Sequence, residues 1–165
     1  PDIIFITDEK DALLCHIENQ KPIFVTNQTT LSIYDIESIL SILKTKYPNL
    51  LFDDDICDAT KVRQQAVMDQ EKVDLMLVVG DPMSSNSNKL ASVGKKSKGV
   101  TSYLIQSVED IQIEWLKPID SVSVTSGAST PTVITEEVIS YLKQFNKNDP
   151  KTWDHSSKIS LSDIL

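Results

Sequence analysis

The chain has 165 residues, 40% hydrophobic and 24% charged, which is ordinary for a globular protein with one sizeable core or two small packed units. Its net charge of −8 excludes the basic footprint expected of nucleic-acid binders and of proteins drawn to anionic membrane surfaces. No apolar run approaches the roughly 20 residues needed to span a bilayer.

Short runs rich in Val and Ile recur along the chain and alternate with helical patterns. Strands are predicted at Ile3–Ile6, Ile23–Val25, Leu50–Phe52, Leu75–Val79, Tyr103–Ile105 and Val122–Val124. Each run is uninterrupted rather than alternating, as expected for strands covered on both faces of a parallel sheet. Helices are predicted over Asp8–Glu18, Ile33–Lys46, Lys61–Glu71, Lys89–Lys96, Val108–Leu116 and Thr132–Phe145. Within Ile33–Lys46, the residues Ile36, Ile39, Leu40 and Leu43 fall at helical spacing and cover one face. The alternation predicts an α/β architecture with mostly parallel sheets and right-handed crossovers.

A faint repeat at an offset of 100 residues divides the chain. Thr7-Asp8-Glu9 corresponds to Ser107-Val108-Glu109, and each reads as a helix start. The strand Ile23–Val25 with Thr29 after it corresponds to Val122–Val124 with Ser129 after it. Two similar strand–helix units are expected, 1–53 and 54–165, with a polar surface tail from about Asn146 that is punctuated by Pro150. The second unit has a cysteine loop, a helix, a strand and a serine-rich loop before the matched region. The first has no counterpart, and the chain opens on Pro1, so it is expected to begin in mid-unit.

Three loops share one design, a hydrophobic strand followed by small hydroxyl or amide residues and then a helix. They are Gln28-Thr29-Thr30-Leu31-Ser32, Ser84-Ser85-Asn86-Ser87-Asn88 and Gly127-Ala128-Ser129-Thr130-Pro131. A helix N-terminus presents unpaired N–H groups and partial positive charge, so an anion can bind there. In an open α/β sheet such loops lie at the carboxyl ends of the strands, where ligands usually bind. Capping alone also accounts for Ser, Thr and Asn at each loop taken singly. The Ser-Ser-Asn-Ser-Asn run is denser than capping needs, and Gly80 and Gly127 let backbone approach closely.

Cys15 and Cys57 form no pairing framework, and a reducing cytoplasm is the expected compartment. Cys57 taken alone reads either as a small buried hydrophobe or as a ligand. Neither His16, on a predicted helix, nor His155, in the tail, makes a nucleophile pair. Asp54-Asp55-Ile56-Cys57-Asp58 spells the D-D-x-x-D that holds magnesium against diphosphates on long helices. Here it follows a strand in a short α/β chain, and a solvated acidic loop explains it.

Four segments together carry a resemblance. Asp55-Ile56-Cys57-Asp58-Ala59-Thr60-Lys61-Val62-Arg63-Gln64, Asn27-Gln28-Thr29-Thr30-Leu31-Ser32, Ser84-Ser85-Asn86-Ser87-Asn88 and Thr125-Ser126-Gly127-Ala128-Ser129-Thr130-Pro131 resemble the 4-hydroxy-3-methylbut-2-enyl diphosphate reductase family of isoprenoid synthesis. They occur in that family's order and rough spacing, over nearly the whole chain to about Phe145. The resemblance implies the remainder of a three-unit trefoil arrangement around a [4Fe-4S] cluster held by three cysteines, of which Cys57 matches the last. It implies reductive dehydroxylation of the allylic diphosphate to isopentenyl and dimethylallyl diphosphate, with electrons from a ferredoxin or flavodoxin. Ser84, Ser85, Asn86 and Ser129 match residues that hold the substrate diphosphate. Thr29 matches a threonine near the substrate hydroxyl and the proton path, and Gln28 beside it is a candidate for supporting that threonine.

Departures from the family pattern fall at Asn27, Asp58, Val62 and Ser126, where Thr or Ser, an aromatic, Asn or Thr, and Ala are usual. The family's other two cysteines, its diphosphate-binding histidines and its glutamate proton donor would precede the segment matching Pro1. The chain is therefore expected to be a C-terminal portion that needs the N-terminal region, or a separate chain supplying it, and to be inactive alone. The alternative is a non-catalytic α/β module that binds phosphorylated ligands or a partner chain.

Overall fold

A computed structural model describes residues 3–18 and 22–160. The chain is α/β, with every strand pair parallel, and divides into two compact units, 1–61 and 62–165. No helix among the described residues is long and apolar enough to cross a membrane.

Unit 1 contains α1 (Glu9–Leu14), β1 (Phe24–Val25), α2 (Ile33–Lys46) and β2 (Leu51–Phe52), and it ends in the first turn of α3 (Asp58–Asp69). α2 occupies the span its periodicity predicts. Ser32 Oγ accepts from Asp35 N at its start, and Ile36, Leu40 and Leu43 form its buried stripe. That stripe packs into two clusters, one with Ala12, Tyr47 and Leu50 and one with Ile56. α1 is shorter than predicted. Its last carbonyls, Ala12 O and Leu13 O, accept from Lys46 Nζ, and Cys15 turns out of helical geometry at ψ 129°. Tyr47 Oη donates to Cys15 O at 3.1 Å and accepts from Ile17 N at 2.8 Å.

Two strand expectations in unit 1 are corrected. Ile3–Ile6 is not a strand, because no described segment pairs with it, and Ile3, Ile4 and Phe5 are exposed. β1 and β2 are not covered on both faces. Their register places Phe24 beside Leu51, which are 64% and 67% exposed, while Val25 and Phe52 pack against α2 from the opposite face.

Unit 2 holds a three-stranded sheet in the order β4-β3-β5, made of β3 (Leu75–Val79), β4 (Thr101–Ile105) and β5 (Val122–Ser126). β3 is central and all five of its residues are buried, so an uninterrupted apolar run is what its position demands. α4 (Ser85–Ser97) follows β3, and α6 (Thr132–Gln144) follows β5. Leu75, Leu77, Val79, Ile105, Val138 and Tyr141 form the core of this unit. The helix predicted over Val108–Leu116 is two pieces, a 3-10 turn at Val108–Asp110 and α5 (Ile113–Leu116), separated by extended Ile111. Asp110 Oδ2 accepts from Gln106 N at 2.6 Å, which folds the first turn back on the end of β4.

The tail is tied down rather than free. Trp153 Nε1 donates to Asn146 O at 2.9 Å, and Lys117 Nζ lies 4.3 Å from the Trp153 ring centre. Ser157 N donates to Glu109, and Ser157 Oγ and Lys158 N both donate to Glu137. The sequence leaves Ile159–Leu165 either docking back or fraying, and that stretch falls mainly outside the described residues.

The start of β3 is latched to the start of β5 by Asp74. Its Oδ2 accepts from Asp120 N, Ser121 N and Ser121 Oγ at 2.9–3.0 Å, and these donors hold the carboxyl below the usual carboxylate range. A carboxyl lowered in the folded state stabilises the fold above its unfolded pKa of about 4, and that contribution is lost as the pH falls through the lower folded value. Asp74→Ala is therefore expected to lower the thermal midpoint at pH 7, with the difference from the parent chain shrinking as the pH is taken below about 4. A difference that stays constant across that pH series would contradict the latch.

Candidate functional site

In unit 1, Cys57 lies directly before α3, which begins at Asp58 and not at Lys61 as predicted. Thr60 N and Lys61 N donate to Cys57 O at 2.9 and 3.0 Å, so the cysteine sits where the helix presents its unpaired N–H groups. The thiol is exposed, and Thr60 Oγ1 lies 3.0 Å from Sγ. The Thr60 hydroxyl and then its backbone N–H pull the Cys57 pKa down, while the Asp58 carboxylate pushes the other way. The downward contributions prevail, which favours a thiolate capable of binding a metal.

The Cys57 loop is fixed on both sides. Asp54 pairs with Lys61 at 2.9 Å and accepts from Ile56 N at 3.0 Å. Asp55 accepts from Thr26 Oγ1, and its own N–H donates to Asn27 Oδ1 at 3.3 Å. Cys57 N donates to Thr29 O at 3.3 Å, so the structure brings together the cysteine and the threonine loop singled out in the sequence. Thr29 and Gln28 are exposed, and Gln28 O closes the turn by accepting from Leu31 N.

In unit 2, the parallel register Val79↔Ser126 puts the loops after β3 and β5 at the same sheet edge. Gly127 N donates to Val79 O at 2.9 Å and Gly80 N donates to Ile105 O at 2.8 Å, so both glycines extend the sheet by one residue. Ser84 is the N-cap of α4, its Oγ accepting from Ser87 N, and Asn88 Nδ2 donates to Pro82 O and Ser84 O. Ser85 and Ser129 are exposed. Asn86 is 6% exposed, yet neither its Nδ2 nor its Oδ1 has a hydrogen-bond partner among the described residues. Ser87, 1% exposed, carries a second orphaned atom, Oγ.

Thr60, Ser87 and Thr130 were absent from the sequence-derived site. Thr60 was legible, because three positions after Cys57 is one turn along a helix that starts at the cysteine. Ser87 lies within the serine-rich motif, but nothing in the spacing says that it turns inward.

The fold and these loops define a parallel α/β protein with hydroxyl- and amide-lined helix starts at the carboxyl ends of its strands, plus an exposed cysteine of lowered pKa. The profile of the family described as LytB protein matches residues 1–143, and the chain belongs to that family. The chain is 46% identical over its full length to the 4-hydroxy-3-methylbut-2-enyl diphosphate reductase of Bacillus subtilis, of which it covers 53%. The reductase of Anoxybacillus flavithermus is 49% identical over 88% of the chain, and 46% of that protein is covered. Among solved structures, the E-1-hydroxy-2-methyl-but-2-enyl-4-diphosphate reductase of Plasmodium falciparum superposes with a TM-score of 0.80 at 32% identity. That match covers 87% of this chain and 46% of that one. The chain spans about half the length of the curated relatives it matches.

The LytB family uses a [4Fe-4S] cluster. The exposure and lowered pKa of Cys57 fit it as one thiolate ligand. No group of three or more His, Cys, Asp or Glu among the described residues is arranged to hold a metal.

The dominant cause of the Cys57 shift can be removed without changing shape. Thr60→Val is expected to raise the Cys57 pKa and so to slow alkylation by iodoacetamide at pH 7 by several-fold. Cys15 is buried and will contribute little to that rate. An unchanged rate would mean that the hydroxyl has no part in activating the thiol.

Proposed function

We propose that this chain is the C-terminal portion of a 4-hydroxy-3-methylbut-2-enyl diphosphate reductase, contributing one cluster thiolate and most of the diphosphate-holding groups. The observation that carries the reading is Asn86. An amide buried in the first turn of a 13-residue helix with both polar atoms unpaired calls for a partner that the protein does not supply. A diphosphate oxygen is suited to Nδ2, and the positive end of α4 favours its charge.

In this reading Ser84, Ser85 and Ser129 donate hydroxyl hydrogen bonds to the same diphosphate. Asn88 braces the loop that presents Ser84 through its two bonds to Pro82 O and Ser84 O. Cys57 supplies the ligand thiolate, kept ionised by Thr60. A bound cluster would supply two electrons, which with two protons, one to the departing hydroxyl and one to the allylic carbon chain, give water and isopentenyl or dimethylallyl diphosphate. Thr29, tied to Cys57 through its backbone carbonyl, lies beside the leaving hydroxyl on the path that brings it a proton from the donor in the N-terminal region, and Gln28 supports its turn. A ferredoxin or flavodoxin supplies the electrons, and the cytoplasm is the proposed compartment.

The alternative reading is a module that binds a phosphorylated ligand or a partner chain without catalysis. The exposure of Ile3 and Phe5, and of Phe24 beside Leu51, favours further polypeptide packing on unit 1 in either case.

Two measurements test these readings. Ser84→Ala with Asn86→Ala is expected to weaken pyrophosphate binding at least several-fold, because charge-assisted hydrogen bonds contribute roughly 1.5–3 kcal/mol each. Unchanged affinity would leave these residues as caps. Anaerobic reconstitution with iron and sulfide should give no stable cluster absorption from the chain alone. It should give one after mixing with the N-terminal half of the Bacillus subtilis relative. Reductase turnover by the isolated chain would overturn the assignment of a partial protein, and a mixture that never takes up a cluster would favour the non-catalytic module.

A further inference from the structure

The first turn of α4 meets the sheet edge through one side chain. A Cβ built on either Gly80 or Gly127 would fall on Ser87 Oγ. The Gly80 position would also stand 3.0 Å from Ser87 Cβ and 3.3 Å from Thr130 Oγ1. At Gly127 the corresponding spaces are wider for Ser87 Cβ, 3.6 Å, and similar for Thr130 Oγ1, 3.1 Å. Ser87 thus sits in a slot walled by two glycines, one at the end of β3 and one at the end of β5. Thr130 closes that slot, its Oγ1 donating to Val79 O at 3.0 Å beside the Gly127 N–H bonded to the same carbonyl. Both glycines have ordinary backbone angles, so it is the space that restricts them to glycine here, not conformation.

We infer that Ser87 is a positioning residue. Seated between Gly80 and Gly127, it locks the start of α4 against the 127–130 loop and so fixes Ser84, Ser85 and Asn86 relative to Ser129. The inference rests on the diphosphate reading of those four residues and adds the device that holds them in register. It explains why a side chain with no hydrogen-bond partner is buried at this point. Its oxygen fills a slot that nothing larger than a glycine wall leaves open. It also makes an asymmetric prediction about the two walls. Removing Oγ leaves the Gly80 side 3.0 Å from Ser87 Cβ, which is fixed on the helix backbone, and leaves the Gly127 side 3.1 Å from Thr130 Oγ1, the end of a rotatable side chain that can give way.

The test uses the 165-residue chain with inorganic pyrophosphate as the probe, read by calorimetry well below each variant's thermal midpoint, with midpoints recorded for all variants. Gly127→Ala is expected to weaken binding by about tenfold or more, and Ser87→Ala by less. The double variant Ser87→Ala/Gly127→Ala should regain at least about fivefold of the loss, as expected for residues in direct contact. Ser87→Ala/Gly80→Ala should not recover. Additive losses in the Gly127 pair, or full affinity in Gly127→Ala alone, would overturn the slot. If the parent chain binds no pyrophosphate, the diphosphate reading fails, and the slot is judged on the thermal midpoints and on amide hydrogen exchange over residues 127–130. There, recovery of midpoint and protection in the Ser87→Ala/Gly127→Ala chain supports it, and additivity refutes it.

Discussion

The parallel pairing of β3 with both β4 and β5 is the constraint on which unit 2 depends. Parallel neighbours cannot be joined by tight hairpins, so the chain must leave each strand at its carboxyl end and return through a crossover. All departures therefore lie at one edge. Because β3 lies in the middle with five buried residues, its last carbonyl faces a crowded edge where Gly127 N–H and Thr130 Oγ1 both bond to Val79 O. The polar loops there follow from strand order, and the burial of Asn86 and Ser87 follows from how closely α4 is drawn to that edge by two glycines.

In unit 1 an exposed thiol lies directly before a helix, and the groups beside it lower its pKa. Position before a helix contributes N–H groups and partial positive charge, and Thr60 adds a hydroxyl. Partial desolvation of the thiol and the Asp58 carboxylate work against both, and the lowering contributions prevail. The Asp54-Asp55 pair beside the cysteine, which in isolation suggests a cation site, is already engaged. Lys61 and Ile56 N occupy Asp54, and Thr26 and Asn27 engage Asp55. Carboxylates committed to fixing a loop are not disposed as a cation cage, and their arrangement makes them struts of the Cys57 turn.

The sequence made some of this legible and hid the rest for identifiable reasons. α2 was readable from end to end because its cap, its stripe and its basic last turn all agree. β3 was readable because full burial writes an unbroken apolar run. Ile3–Ile6 shows the same composition without being a strand, since composition records hydrophobicity but not the presence of a neighbour to pair with. α1 and the Val108–Leu116 region were drawn too long because their ends are set by contacts remote in sequence or by a local acceptor. Lys46 takes the carbonyls of α1, and Asp110 folds back on Gln106 N. At the site, residue types that bind anions were visible as motifs. Which of them turn inward, Asn86 and Ser87 rather than Ser85, depends on helix phase relative to the sheet, and no motif encodes that.

The exposed residues of unit 1 bear on why it has two faces of such different character. A two-stranded sheet is marginal by itself, and this one is supported from one face by α2 while Phe24 and Leu51 lie side by side on the other. Side chains of that size gain roughly 1.5–3 kcal/mol each from full burial, so leaving several exposed forgoes stability comparable to that of a small domain. The chain spans about half the length of the Bacillus relatives it matches. By contrast, the face carrying Cys57 and Thr29 is polar and hydrogen-bonded within itself. Unit 1 thus leaves large apolar side chains in solvent on its sheet while the loop carrying its cysteine satisfies its polar groups internally.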